Sequence, residues 1–173
     1  MIYEKSTGRL LGLQLAGSGE VTRYIDAFSL LISKNGTLQD IVDFEHAYTP
    51  THSGPMNPLN ELGAIAQNRE ETGIDCLDPI EAENFNGKVI DVREEGEIEE
   101  VKFDGDPEEI SIMQFRDKID GFDKNENYLL VCQKGPRSYE AAVAMKEKGF
   151  NNLNYLGGGV QLWKPVLKEE EEI

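Results

Sequence analysis

The sequence predicts an α/β fold: a C-terminal parallel sheet flanked by helices, preceded by a smaller, partial α+β module. Three observations carry this. From Ile80 onward, short apolar runs alternate with helical patterns, which implies a parallel sheet covered on both faces. Before Asn68 the chain reads instead as one hairpin followed by helices. Between them, residues 69–79 lose periodicity around Glu70-Glu71-Thr72-Gly73 and Asp78-Pro79, which marks a linker. The expected division is 1–68, a linker over 69–79, and 80–173 closing on an acidic tail.

The elements follow in order. Met1 to Tyr3 and Leu10 to Gly17 flank a turn at Ser6-Thr7-Gly8-Arg9 and read as a hairpin. Val21, Tyr24, Ile25, Phe28, Leu31 and Ile32 share one helical face, and Asn35-Gly36 supplies the terminating chemistry. Thr37-Leu38-Gln39-Asp40 reads as the cap of a short second helix, and a third spans Asn60 to Asn68. Pro50, Pro55 and Pro58 make Tyr48 to Pro58 a rigid, non-helical connection. In the second segment Lys88 to Val92 is a β-branched strand, Ser111 to Ile119 a helix and Asn127 to Val131 a strand. Ser138 to Lys148 is a helix capped by Gly149, Leu153 to Leu156 a last strand, and Val160 to Trp163 a final helical turn. Trp163 belongs to the core.

Composition narrows the function classes. With 173 residues, 39% of them hydrophobic, the chain can bury one ordinary core or two small ones. A net charge of −16 and a pI near 4.5 argue against nucleic acid as a partner, because phosphates call for a basic face. The same charge disfavours anionic membranes. The acidity concentrates in 94–109 and in Glu169-Glu170-Glu171-Glu172-Ile173, and such runs read as solvated faces or tails. Cys76 and Cys132, with no Cys-x-x-Cys pair, are too few for a disulfide scaffold or a structural zinc site, so no metal is expected. No basic, apolar leader opens the chain and no run approaches about 18 apolar residues. A reducing cytoplasm is the expected compartment.

The chemistry concentrates in Val131-Cys132-Gln133-Lys134-Gly135-Pro136-Arg137-Ser138. Cys132 follows an apolar strand and precedes a helix, where unpaired backbone N–H groups and the helix dipole favour negative charge. Lys134 and Arg137 add cations in the same loop, which favours thiolate over thiol. Gly135 permits a tight reversal and Pro136 stiffens the entry to the helix. The pattern implies an activated, solvent-reachable sulfur nucleophile in an anion-binding cradle. Asp91 also sits at a strand's carboxyl end, where reactive groups gather in parallel sheets.

The second segment resembles the rhodanese (sulfurtransferase) family. Ile90-Asp91-Val92-Arg93-Glu94 matches the family's Asp-Val-Arg element, Cys132-x-x-Gly135-x-Arg137-Ser138 its active-site loop, and Gly157-Gly158-Gly159 with Trp163 its closing element. The resemblance implies that Cys132 carries a sulfane sulfur as a persulfide and passes it to a thiol or cyanide. It makes Arg137 the catalytic partner and brings Gln133, Lys134, Gly135, Pro136 and Ser138 to the substrate. Asp91 and Arg93 support the loop, Asp91 either as a partner of Arg137 or as a cap of the next turn. Where the family has a Gly-His-Ile-x-Gly-Ala run, this chain has Gly96 to Gly105, so the pocket wall there is expected to be more acidic and less welcoming to thiosulfate.

The first segment resembles the C-terminal dimerisation domain of pyridine nucleotide–disulfide oxidoreductases, in the coenzyme A disulfide reductase and NADH oxidase branch. The matching residues are Thr7-Gly8-Arg9-Leu10-Leu11-Gly12, Arg23-Tyr24-Ile25-Asp26, Tyr48-Thr49-Pro50 and Asn57-Pro58-Leu59-Asn60. The resemblance implies a homodimer or docking onto a flavoprotein reductase, with polysulfide or persulfides of coenzyme A or glutathione as donors. No Gly-x-Gly-x-x-Gly occurs, so FAD and NAD sites are not expected in this chain. The chain is then a fragment, a split gene product or a stand-alone relative. Cys76 is either a resolving thiol or an ordinary exposed cysteine. His46 and His52, flanking Tyr48, act either near a partner's site or in packing. Two other readings stand beside sulfur transfer. One is a non-catalytic docking module; the other is phosphatase or arsenate reductase chemistry, against which the six-residue loop from Cys132 to Arg137 speaks.

Overall fold

The computed structural model describes residues 1–17, 21–51 and 53–171. The described chain forms two compact units, Met1–Glu71 and Thr72–Ile173. No helix among the described residues is long and apolar enough to cross a membrane.

The first unit opens with antiparallel strands β1 (Ile2–Tyr3) and β2 (Leu10–Gly12), joined through Gly8 at φ +72°. Helix α1 (Val21–Ser33) buries Phe28 and packs Tyr24, Leu31 and Ile32 against the same core. Its termination divides labour between two residues. Asn35 takes the left-handed conformation (φ 56°), while Gly36 N–H donates to Leu31 O at 2.8 Å. A Cβ on Gly36 would stand 2.9 Å from that oxygen, so glycine serves there for close approach. Helix α2 (Leu38–Val42) starts with the capping box of Thr37 and Asp40. Helix α3 (Pro58–Thr72) is tied to it by Asn60 Nδ2, which donates to Ile41, Val42 and Phe44 carbonyls at 2.9–3.0 Å.

The second unit is an all-parallel five-stranded sheet with helices on both faces, the α/β architecture expected. Its elements are β3 (Asp75–Leu77), α4 (Pro79–Glu83), β4 (Lys88–Asp91), α5 (Glu95–Glu100), β5 (Glu108–Glu109) and α6 (Ile112–Lys118). They continue with β6 (Tyr128–Val131), α7 (Pro136–Glu147), β7 (Leu153–Leu156) and α8 (Gly159–Glu171). The strand order is β3-β7-β6-β4-β5. Central β6 is buried along its whole length and splits its side chains between two cores. Tyr128 and Leu130 join Phe115, Ala141, Ala142 and Met145 on one face. Leu129 and Val131 join Leu156, Val160 and Trp163 on the other. This period of two, apolar on both faces, is what a central parallel strand requires.

Two expectations are corrected. Residues 69–79 are not a linker: they hold the end of α3, edge strand β3 in register with β7, and the Asp78 cap of α4. Three residues were too short a run to show periodicity. Segment 94–109 is not simply a solvated face, since it builds α5 and β5 and buries Ile98 and Phe103. The final turn at Val160 to Trp163 extends into α8, whose acidic end, Glu172 and Ile173, lies outside the described residues.

Candidate active site

Cys132 lies one residue past β6, beside the carboxyl ends of β4 and β7. Gly135 reverses the chain at φ +113°, a conformation open to glycine, and Pro136 opens α7 at its first position. The reversal turns Gly135 N–H onto Cys132 Sγ at 3.1 Å. The Cys132 thiol donates to Ser138 Oγ at 3.4 Å, and that hydroxyl donates to Gly135 O at 2.7 Å. The loop carbonyls are occupied elsewhere: Val160 N–H donates to Cys132 O and Gln161 N–H to Gln133 O, at 3.0 and 3.1 Å. Helix α8 thus anchors the back of the loop and leaves its N–H side toward the sulfur. Gly159 makes this approach possible, since its Cβ would fall 2.5 Å from Cys132 O, Gln133 C and Lys134 N.

Two ion pairs frame the loop. Asp91 and Arg93 are both fully buried and pair at 2.6–3.0 Å. The remaining Arg93 nitrogen donates to Glu97 O, Val101 O and Gln133 Oε1, at 3.1, 2.9 and 3.4 Å. Asp91 therefore serves Arg93, not Arg137, and this corrects the first of the two roles expected of it. Its other expected role has a counterpart: Asp91 Oδ1 accepts from Arg93 N–H at 3.1 Å in the following turn.

The partner of Arg137 is Glu97 on α5. The two side chains meet through two parallel bonds of 2.7 and 2.5 Å, each side chain 31% exposed. Hydrogen bonding to Arg137, opposed by partial burial and helped by Glu94 N–H, pulls the Glu97 carboxyl down to about 2. The same bonds push the Arg137 pKa up, with smaller contributions from the charges of Glu97, Cys132 and Glu94. Sequence reading passed over Glu97 because it stands among acids of a segment read as solvent-facing. Its signal was its neighbour Ile98, an apolar residue among acids that α5 buries.

The remaining candidates fall as follows. Cys132 is 1% exposed, where a solvent-reachable thiol was expected, because it packs into the buried cluster that holds Ala141 and Ala142 of α7. Lys134 and Pro136 are exposed, whereas Gln133 and Arg137 are half-buried and Gly135 and Ser138 buried. Cys76 sits on β3 in register with Tyr155, itself in register with Leu130. Strand spacing and rise then separate the Cα atoms of Cys76 and Cys132 by about 12 Å, beyond the ~7 Å reach of a disulfide. Direct exchange between the two cysteines is not available in this arrangement. His46 belongs to the first unit, with Nε2 buried and without a hydrogen-bond partner. His52 lies outside the described residues. Among the described residues no group of three or more His, Cys, Asp or Glu is gathered as metal ligands. Trp163 is core, 2% exposed and 4.5 Å from the Phe103 ring.

A family model of the rhodanese-like domain matches residues 75–165, more than half of the chain. A tRNA sulfurtransferase of Haemophilus influenzae (strain PittEE) is 26% identical over 147 residues, which cover 79% of this chain and 30% of that protein. Among solved structures, reduced CoADR-RHD of Bacillus anthracis aligns with a TM-score of 0.76 and 30% identity, over 86% of this chain and 27% of that one. An NAD-dependent persulfide reductase from A. fulgidus aligns with a TM-score of 0.70 and 26% identity, over 85% of this chain and 26% of that one. The chain spans less than a third of the length of each of these relatives.

Proposed function

The chain belongs to the rhodanese-like family, and on that premise we propose that it is a sulfurtransferase working through a Cys132 persulfide. The observation that carries the proposal is Cys132 Sγ receiving the Gly135 N–H at the entry to α7. Donors fixed at that spot stabilise negative sulfur without reorganising during reaction. The Cys132 thiolate attacks the sulfane sulfur of a donor R–S–SH. The S–S bond of the donor breaks, RS⁻ leaves with the electron pair and takes up the proton, and Cys132–S–S⁻ remains. An acceptor thiolate then attacks the outer sulfur and Cys132 departs as thiolate. No metal or organic cofactor enters these steps, and FAD or NAD chemistry falls outside this chain's role.

In this reading Gln133, Lys134, Gly135, Pro136 and Ser138 form the cradle for the donor. Arg137 braces it from the mouth through Glu97, and the Asp91–Arg93 pair supports it from beneath. The proteins described as CoADR-RHD and as a persulfide reductase support a place beside coenzyme A disulfide, polysulfide or persulfide reduction. For the first unit, its resemblance to a dimerisation domain is the ground for a role as a homodimer or docked on a flavoprotein reductase. Ile2, Leu11, Leu30 and Ile65 are large apolar residues left 47–65% exposed on that unit, and they favour this as a second, docking reading. The −16 charge speaks against nucleic acid and membrane partners in the reducing cytoplasm where we place the reaction.

Intact mass after incubation with polysulfide tests the proposal. The expected result is a gain of one sulfur, removed by reductant and absent in Cys132→Ser. An unchanged mass, or the same gain in the variant, refutes it. Size-exclusion chromatography with and without residues 1–68 tests docking, which requires that only the full chain self-associates or binds the reductase.

A further inference from the structure

Three cations lie on or beside the Cys132 loop, and they are not equivalent. Arg93 is buried and fully committed: Nε and one terminal nitrogen bond Asp91, and the other bonds backbone carbonyls and Gln133. Arg137 spends both terminal nitrogens on the Glu97 carboxylate. Glu94, the other acid at this corner, accepts from Ser111 Oγ. Lys134 alone is exposed and without an ion pair among the described residues. The loop reads as cationic in sequence, yet in the fold a carboxylate offsets each arginine.

This matters for what leaves the site. When thiosulfate gives up its outer sulfur, the S–S bond breaks and the departing group is sulfite, a dianion. When a persulfide of a small organic thiol gives up the same sulfur, the departing group is a thiolate that collects one proton. A free guanidinium at the mouth would stabilise the first departure far more than the second. An arginine already held in a two-bond carboxylate pair cannot, and Glu97 adds its own repulsion.

We propose that Glu97 is the specificity-determining residue of this site, acting through Arg137 to turn it from inorganic dianionic donors toward persulfides of organic thiols. This rests on the Cys132 persulfide reading above. Glu97 is a positioning residue, because it touches Arg137 and not the reacting sulfur. The depressed pKa of Glu97 keeps the offsetting charge in place throughout the neutral and mildly acidic range.

The test measures kcat/KM for sulfur transfer to a dithiol acceptor with two donors, thiosulfate and glutathione persulfide, on the full chain. Glu97→Gln keeps size and one hydrogen-bond acceptor but removes the charge. Its thiosulfate-to-persulfide ratio is expected to rise about tenfold or more, the scale of one nearby charge acting on a dianion in a partly screened site. Glu97→Asp retains the charge, and its ratio is expected to stay near that of the unmodified chain. The advantage of Glu97→Gln toward thiosulfate is expected to shrink as salt is raised. A ratio unchanged in Glu97→Gln, with both donors rising or falling by one factor, overturns the inference and makes the pair a structural brace only. A Glu97→Asp ratio shifted as far as that of Glu97→Gln overturns it too, since geometry and not charge would then decide. If unmodified Cys132 gains sulfur from neither donor, the persulfide reading falls and takes this inference with it; loading with an unshifted ratio removes this inference alone.

Discussion

The Glu97–Arg137 pair makes the second unit's stability depend on acid in a calculable way. Glu97 sits at about 2 in the folded chain against an ordinary 4.5. Because the folded value is the lower one, its contribution is complete above about pH 4.5 and is lost as pH falls through about 2. A fall of that size converts to about 3.4 kcal/mol in an unscreened pair. Each side chain is 31% exposed, so water and salt screen it, and we expect about 1–2 kcal/mol to survive. Glu97→Gln should therefore lose about 1–2 kcal/mol at pH 7, a Tm lower by about 5–10 °C. At pH 3 the deficit should shrink to about two-fifths of that value, because the unfolded carboxylate is by then largely protonated while the native one is still mostly ionised. Trp163 is the chain's single tryptophan and is 2% exposed in the core of this unit, so its fluorescence during urea unfolding reports on this unit directly. A deficit that is the same at pH 7 and pH 3, or that grows on acidification, refutes the assignment of the shift to this pair.

Three further outcomes follow from the same geometry. Asp91→Ala leaves the Arg93 charge buried and unpaired, so the second unit should lose about 3–5 kcal/mol; a Trp163 melting curve within a few degrees of the parent would contradict the buried pair. Gly159→Ala must place a Cβ against the backbone of Cys132, Gln133 and Lys134 at φ +63°, so the loop should shift and sulfur loading of Cys132 should fall at least about tenfold, as measured by mass, since small misplacements of reacting groups are costly. Cys76→Ser should retain the parent's loading and transfer rates, because the two cysteines are too far apart to exchange directly; a loss of transfer with loading intact would restore Cys76 as a resolving thiol.

Much of the second unit was legible in the linear chain. Its strands at 88–91, 128–131 and 153–156 are short apolar runs, and a parallel sheet covered by helices is the arrangement that buries such runs on both faces. Cys132 was legible for a local reason as well. Strand, glycine reversal, proline and helix follow one another within a few residues, so neighbouring backbone alone places the Gly135 N–H on the sulfur. What neighbouring residues do to one another, the sequence by itself determined. Strand β3 and the inward face of α5 were not readable, because three residues carry no period and Glu97 looks like every other acid beside it. The pairing of the arginines was not readable either. Arg93 and Arg137 each had acids within reach in sequence, and only the register of β4 against β6, with α5 laid across their ends, assigned Asp91 to one and Glu97 to the other. The burial of Cys132 has the same origin, since it packs in one cluster with residues far apart in the chain, Ile74 and Tyr155 among them. Long-range choices among chemically equivalent partners are settled by which backbone ends meet in space, and that is a property of the folded sheet.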